Sequence, residues 1–307
     1  MARNGELSAV DGRNVLHFER ELAHPVAKVW RAITDPEHSK QWFPAAMHTE
    51  LKQGATILFV FEGDDGAPTK GTITDFEPPH LFAFTWEGEA LRWELRENGD
   101  GCVLVFTHAF DDRAGAASFA TGWEGCLTAL EQLLDGQEIT EAAPYGPRHD
   151  EYVALFGLAR GELLETEDGW TVRFERNLTK SQTEVWALLI DSAPEVGAEP
   201  PLRFTTGYVE VGPITAVQER ELLEYSWQGG VIRWELRQGN GGARLVLTQT
   251  GTSAQADQRT TALGAWHVHI DLLAQWLRGE TPCWPEGRVE ALAAEYAQEY
   301  TEQLNLG

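Results

Sequence analysis

The five-residue phrase RWELR occurs twice, at 92–96 and at 233–237. Each copy follows an aromatic run (Phe82, Phe84, Trp86; then Tyr225, Trp227). Each precedes a Gly-rich turn, an apolar stretch (VLVFT at 103–107, RLVLT at 244–248) and a helical pattern built around a tryptophan, Trp123 or Trp266. One order of features used twice means a tandem duplication, so one fold has to serve both halves. FER at 18–20 returns at 174–176, and Val29-Trp30 returns as Val185-Trp186, an offset of 156; RWELR returns at an offset of 141. The second copy is therefore 15 residues shorter between its first helix and its aromatic strand (156 against 141). In that interval, around 191–211, it reads SAPEVGAEPPLRF, and no counterpart of the short second helix or of Trp42 is expected there.

Within one unit the periodicity changes twice. Val15–Leu22 alternates apolar and polar residues, which predicts a half-buried strand. Pro25 opens a helix carrying Val26, Val29, Trp30 and Ile33 at helical spacing, and Asp35-Pro36 ends it and starts a short second helix. Strands follow over 55–63, 70–77, 81–88, 90–97 and 102–110, joined by turns of which Asn98–Gly101 is the clearest hairpin signal. Phe119, Trp123, Cys126, Leu127, Leu130 and Leu134 then mark one face of a long helix, with Gly136 as its C-cap. Residues 1–14 are read as a loose tail or weak first strand, and trailing helices are expected over 149–164 and 287–304. The class is α+β, with two tandem domains, 1–165 and 166–307; a chain of 307 residues suits two domains of this size.

The charge narrows the partners. Asp and Glu number 48 against 24 Lys and Arg, a net charge of −24. Such a surface repels phosphate backbones and anionic lipid, so neither nucleic acid nor a membrane is an expected partner. Three cysteines, with no CxxC pair, fit a reducing compartment, and the polar N-terminus carries no apolar leader, so a cytoplasmic protein is expected. The chain has no GxSxG, HExxH, phosphate loop or GxGxxG. His267 and His269 are two apart on a helix and diverge, so no metal pair forms. Asp64-Asp65 and Asp111-Asp112 read as solvated turn acids, and Cys126 as a small apolar group. No catalytic residue, metal or cofactor is expected.

Parity decides what faces inward. Leu91, Trp93 and Leu95 share one face, as do Ile232, Trp234 and Leu236. In 102–108 either Cys102, Leu104, Phe106 and His108 point in, or Val103, Val105 and Thr107 do. Arg244 stands at the position of Val103 and belongs outside, so His108 and its equivalent Gln249 are inward polar groups.

The ordered set FERELAHPVAKVWRAITDPEHSKQWFP (18–44), EPPHLFAFTW (77–86), NGDGCVLVFTHAF (98–110) and GWEGCLTALEQLLDG (122–136) resembles the helix-grip fold of the START/Bet v1-like superfamily, in the branch named after the activator of the Hsp90 ATPase. The resemblance implies a curved antiparallel sheet wrapped on a long C-terminal helix, with a ligand space between them. Its walls would be Phe59, Phe61, Phe82, Phe84, Trp86, Trp93, Phe106, His108, Phe119, Trp123 and Cys126 in the first half. In the second half they would be Tyr208, Tyr225, Trp227, Trp234, Gln249, Trp266 and His269. The missing segment is expected to uncover one side of the second cavity and to open it toward its neighbour. The branch includes lipid and polyketide binders, polyketide cyclases and aromatases, proteins that intercept enediyne antibiotics, and chaperone-ATPase regulators. The expected function is binding of a hydrophobic, polyketide- or polyene-like molecule by a monomeric pseudo-dimer. A cyclase or aromatase is the alternative, and a chaperone regulator the third reading.

Overall fold

The structure, a computed structural model, describes residues 4–61, 67–140 and 144–306, with side chains to 302. The turn acids Asp64-Asp65 lie outside the described residues. By internal contacts the chain resolves into two compact units, Met1–Arg148 and His149–Gly307.

The first unit is an eight-stranded antiparallel sheet with helices. Its strands are β1 (Glu6–Val10), β2 (Arg13–Leu22), β3 (Ala46–His48), β4 (Thr56–Val60), β5 (Thr69–Glu77), β6 (Leu81–Trp86), β7 (Glu89–Asn98) and β8 (Gly101–Phe110). They lie in the order β1-β2-β8-β7-β6-β5-β4-β3. Between β2 and β3 come α1 (Val26–Thr34) and α2 (Pro36–Ser39), whose N-cap Asp35 accepts from the Glu37 N–H. The long helix α3 (Ala116–Leu134) follows β8 and ends before Gly136, at φ +68. Leu16, Phe18, Leu91, Trp93, Leu95, Leu104, Phe106 and His108 are all buried, so the inward parity is as expected.

The second unit repeats the plan in six strands. The helix α4 (Tyr145–Leu155) runs into it; then come β9 (Glu162–Thr166), β10 (Gly169–Asn177), α5 (Gln182–Leu189), β11 (Val211–Gln218), β12 (Leu222–Trp227), β13 (Gly230–Gly239), β14 (Gly242–Thr252), the long helix α6 (Arg259–Leu277) and α7 (Arg288–Leu306). The sheet order is β11-β12-β13-β14-β10-β9. The expected trailing helix over 149–164 stops at Leu155: Gly157 takes φ +66 and the Leu158 N–H returns to the Val153 carbonyl at 2.9 Å. The segment 162–166 is a strand, and the expected border between residues 165 and 166 falls at the end of that strand, beside the turn of a hairpin that pairs Thr166 with Gly169. That hairpin repeats β1-β2. Gly5-Glu6-Leu7 returns as Gly161-Glu162-Leu163, and a Cβ at Gly5 would sit 2.4 Å from the Phe18 ring, at Gly161 2.3 Å from the Phe174 ring. Both glycines exist to let a core phenylalanine lie flat under the edge strand.

The shortening is localised. Gly54-Ala55 returns as Gly197-Ala198, and the pairing survives: Gly54 and Gly197 donate to the carbonyls of Ile73 and Ile214 at 2.8 and 2.9 Å. The second copy therefore lacks α2 and β3. Where β4 would run it carries Pro200 and Pro201, which cannot donate to a ladder, and a 3-10 turn at Leu202–Phe204 replaces the strand.

Candidate functional site

In the first unit the inward residues form one aromatic layer between sheet and helix. Trp93 stacks on Phe106 at 4.0 Å, Phe106 meets Trp123 at 4.7 Å, and Phe59 stacks on Trp86 at 4.4 Å. Phe82 and Phe84 lie 5.0 Å apart, with Phe84 5.7 Å from Phe59. Sequence reading missed Phe43, which joins the two halves of the layer: it touches Phe59, Phe84, Trp86 and Trp123 at 5.7–6.3 Å. Its signal was the WFP phrase at 42–44, where a short helix would be expected to fold inward. Phe59, Phe82, Phe84, Trp93, Phe106 and Trp123 are buried. Phe61, Trp86 and Phe119 are half-buried. These three come from the end of β4, the end of β6 and the first turns of α3. Phe61 lies 5.7 Å from Trp86, and Phe119 lies 4.8 Å from the His108 ring.

His108 is held from both sides. Trp123 Nε1, which can only donate, reaches His108 Nδ1 at 3.0 Å. The proton of the neutral ring is therefore on Nε2, which donates to Glu89 Oε2 at 2.7 Å. Glu89 is half-buried, so this chain of hydrogen bonds leads from the interior to the surface. Cys126 stands apart on α3; burial pushes its thiol up to about 12, which keeps it a thiol rather than a nucleophilic thiolate.

In the second unit the same positions are closed over. Gln249 Oε1 accepts from Trp266 Nε1 at 2.6 Å, repeating the His108–Trp123 contact with another acceptor. The position of Glu89 is Gly230, and the Gln249 amide nitrogen is buried without a partner. A Cβ at Gly230 would lie 2.6 Å from Trp227 Nε1, so Trp227 occupies the place of the missing carboxylate; it donates to the Thr250 carbonyl at 2.8 Å and packs on Trp170 at 5.9 Å. The shortened segment does not uncover this core, contrary to expectation. Phe204 turns in against Trp234 at 5.1 Å, as Trp42 packs on Trp93 at 5.3 Å, and the Tyr225 hydroxyl donates to its carbonyl at 2.7 Å. An aromatic counterpart of Trp42 thus exists, supplied by the 3-10 turn. Trp227, Trp234, Trp266, Tyr225 and His269 are all buried. His269 meets Trp234 and Trp266 at 5.7 Å each, and its Nε2 donates to the Arg203 carbonyl at 2.8 Å. Tyr208 lies outside the layer, exposed, 6.0 Å from Trp284. His267 and His269 diverge as expected: His267 bonds the Tyr296 hydroxyl at 2.9 Å. Among the described residues no three His, Cys, Asp or Glu side chains converge on a metal position, and no helix is long and apolar enough to cross a membrane.

An antiparallel sheet closed by a long helix, with an aromatic layer between, defines a helix-grip protein, a class whose members bind hydrophobic ligands and include polyketide cyclases. Residues 23–135, in the first unit, match the family described as "Activator of Hsp90 ATPase homolog 1-like protein". No curated protein matches the chain. Among solved structures the chain is similar to a conserved protein of unknown function, EF2215 from Enterococcus faecalis (18% identity, 50% of this chain and 90% of that one, TM-score 0.45). It is also similar to CalU16 from Micromonospora echinospora (24% identity, 50% and 99%, TM-score 0.41).

Proposed function

We propose that the chain binds a hydrophobic small molecule of polyene or polyketide type, and that the first unit is the one that takes it. The observation that carries this is the difference between matched ends of the two aromatic layers. Trp86 is half-buried and has half-buried Phe61 beside it, whereas its counterpart Trp227 is buried, at 1% exposure, and among the described residues no exposed aromatic stands in the place of Phe61. Half-buried aromatic faces beside a half-buried carboxylate held by a buried histidine are what a ligand of apolar body and one polar group needs. Phe61, Trp86 and Phe119 supply the apolar contact, and Glu89 with His108 the polar one. Phe59, Phe82, Phe84, Trp93, Phe106 and Trp123 support them from below. Gln249, Trp227 and the rest of the second set serve that unit's core.

A cyclase reading rests on the Glu89–His108 pair, in which the Glu89 carboxylate, oriented by His108 Nε2–H, would take a proton from the acidic carbon of a folded polyketide and return it to an oxygen of the cyclised product. One experiment separates the two. Tryptophan fluorescence titration with a linear polyene and with an aromatic polyketide reports binding, and mass analysis of the same mixtures reports turnover. Saturable quenching with unchanged mass and absorbance is expected. A new product assigns the cyclase, and absence of both signals removes both readings.

A further inference from the structure

A cleft of about 400 Å³ in the second unit is lined by four arginines: Arg160, Arg176, Arg278 and Arg288. They come from the strand-approaching loop after α4, from β10, from the C-cap of α6 and from the first residue of α7. The lining itself holds four arginines against two carboxylates, in a chain with twice as many acids as bases. Two acids share the lining: Asp150 pairs with both Arg176 and Arg278, and Asp271 with Arg176. The other carboxylates that pair with these arginines do not line the cleft: Glu295 and Glu299 on Arg160, Glu295 on Arg288 and Glu280 on Arg278 are each about half exposed. Solvent screens such pairs, and they exchange readily for a better acceptor.

The deepest arginine is the most informative. Arg176 is 5% exposed, and its Nη1 and Nη2 reach Asp271 and Asp150 at 2.5 and 3.3 Å. Its Nε is buried with no partner. A guanidinium offers five N–H groups in a fixed fork, and a buried one left unbonded marks a place where an acceptor belongs. The duplication supplies a control. Aligned through Trp123 and Trp266, Glu124 in the first copy becomes His267, and Asp135 becomes Arg278. Two acids have been exchanged for two basic residues along one face of the long helix, Thr128 has become Asp271, which pairs with Arg176, and the arginine of β10 is kept from Arg20.

We infer that this cleft binds a small molecule carrying a phosphoryl group. Four arginines lining one cleft from four elements suit a tetrahedral, multiply charged oxyanion better than one planar carboxylate, and the volume exceeds that of a phosphate ion alone. The site is separate from the aromatic layer of the first unit, so either can fail without the other.

Isothermal titration of the full chain at low ionic strength tests it, with inorganic phosphate, pyrophosphate and malonate as probes. Pyrophosphate is expected to bind one-to-one, roughly tenfold or more tighter than malonate. Tighter pyrophosphate than phosphate points to a phosphorylated metabolite, and the reverse to free phosphate. Arg278→Gln and Arg288→Gln, each checked for an unchanged unfolding temperature, are expected to weaken binding roughly tenfold, and Arg96→Gln on the first unit to leave it alone. No saturable binding, malonate binding as tightly as pyrophosphate, or full affinity in both arginine variants would overturn the site.

Discussion

The two tryptophans of the long helices, Trp123 and Trp266, each need an acceptor on the sheet for a buried N–H, and each copy supplies a different one. Leaving a buried donor unmet costs about 1–3 kcal/mol. His108→Leu strands Trp123 Nε1 and Glu89 together, so a loss of roughly 2–4 kcal/mol is expected in urea unfolding of the first unit. His108→Gln reproduces the acceptor found at Gln249 and should cost less than half of that; equal losses would show that the contact with Trp123 is not what His108 is for. Buried histidines also set the pH response. Burial holds His269 down to about 4, and burial together with Arg176 holds His149 to about 4. Both are neutral in the fold and take up protons on unfolding once pH falls below about 6.5. Their contribution is complete above pH 6.5 and is lost as pH falls from there to about 4, by at most about 3 kcal/mol each. Urea midpoints between pH 7.5 and 4.5 should fall, and His269→Gln should flatten the slope; a slope unchanged in that variant would refute its part.

At the level of elements, most of the fold was legible because strand alternation and helical spacing are local signals. The inward faces of β7 and β8 followed from parity, with Arg244 breaking the tie. The first strand was legible only as one of two readings in the first unit and not at all in the second, since ELSAV and ELLET are edge strands exposed on most of their length and lack alternation. The signal lay in the repeat itself, Gly5-Glu6-Leu7 against Gly161-Glu162-Leu163, and it would have moved the expected border from 165 to before 161. Alanine at Gly161 would force its Cβ into the Phe174 ring, so Gly161→Ala should destabilise the second unit by roughly 1–3 kcal/mol, read from its unfolding transition. A neutral substitution would mean that the edge strand moves away freely. The aromatic layer was legible as a list of inward residues. Which of them stay half-buried was not, because that depends on Phe43, Phe204 and Trp227 folding over from segments whose sequence shows only Pro, Gly and a lone aromatic.

Across the whole chain, duplication supplied two grips and divergence made them unequal. The second copy lost α2 and β3, gave up β4 to Pro200-Pro201, and sealed its layer with Phe204 and Trp227. It exchanged half-buried Glu124 and exposed Asp135 for His267 and Arg278. The first copy kept half-buried aromatic faces next to Glu89 and His108. The central claim is therefore an asymmetric one: one unit binds an apolar ligand and the other does not. Titration of the full chain with a linear polyene fatty acid, followed by tryptophan quenching and by calorimetric stoichiometry, tests it most directly. The account predicts one saturable site per chain, weakened roughly tenfold or more by Trp86→Ala or Phe61→Asp and unchanged by Phe204→Leu. Two equivalent sites, a site lost with Phe204→Leu and retained with Trp86→Ala, or no saturable binding at all would contradict it.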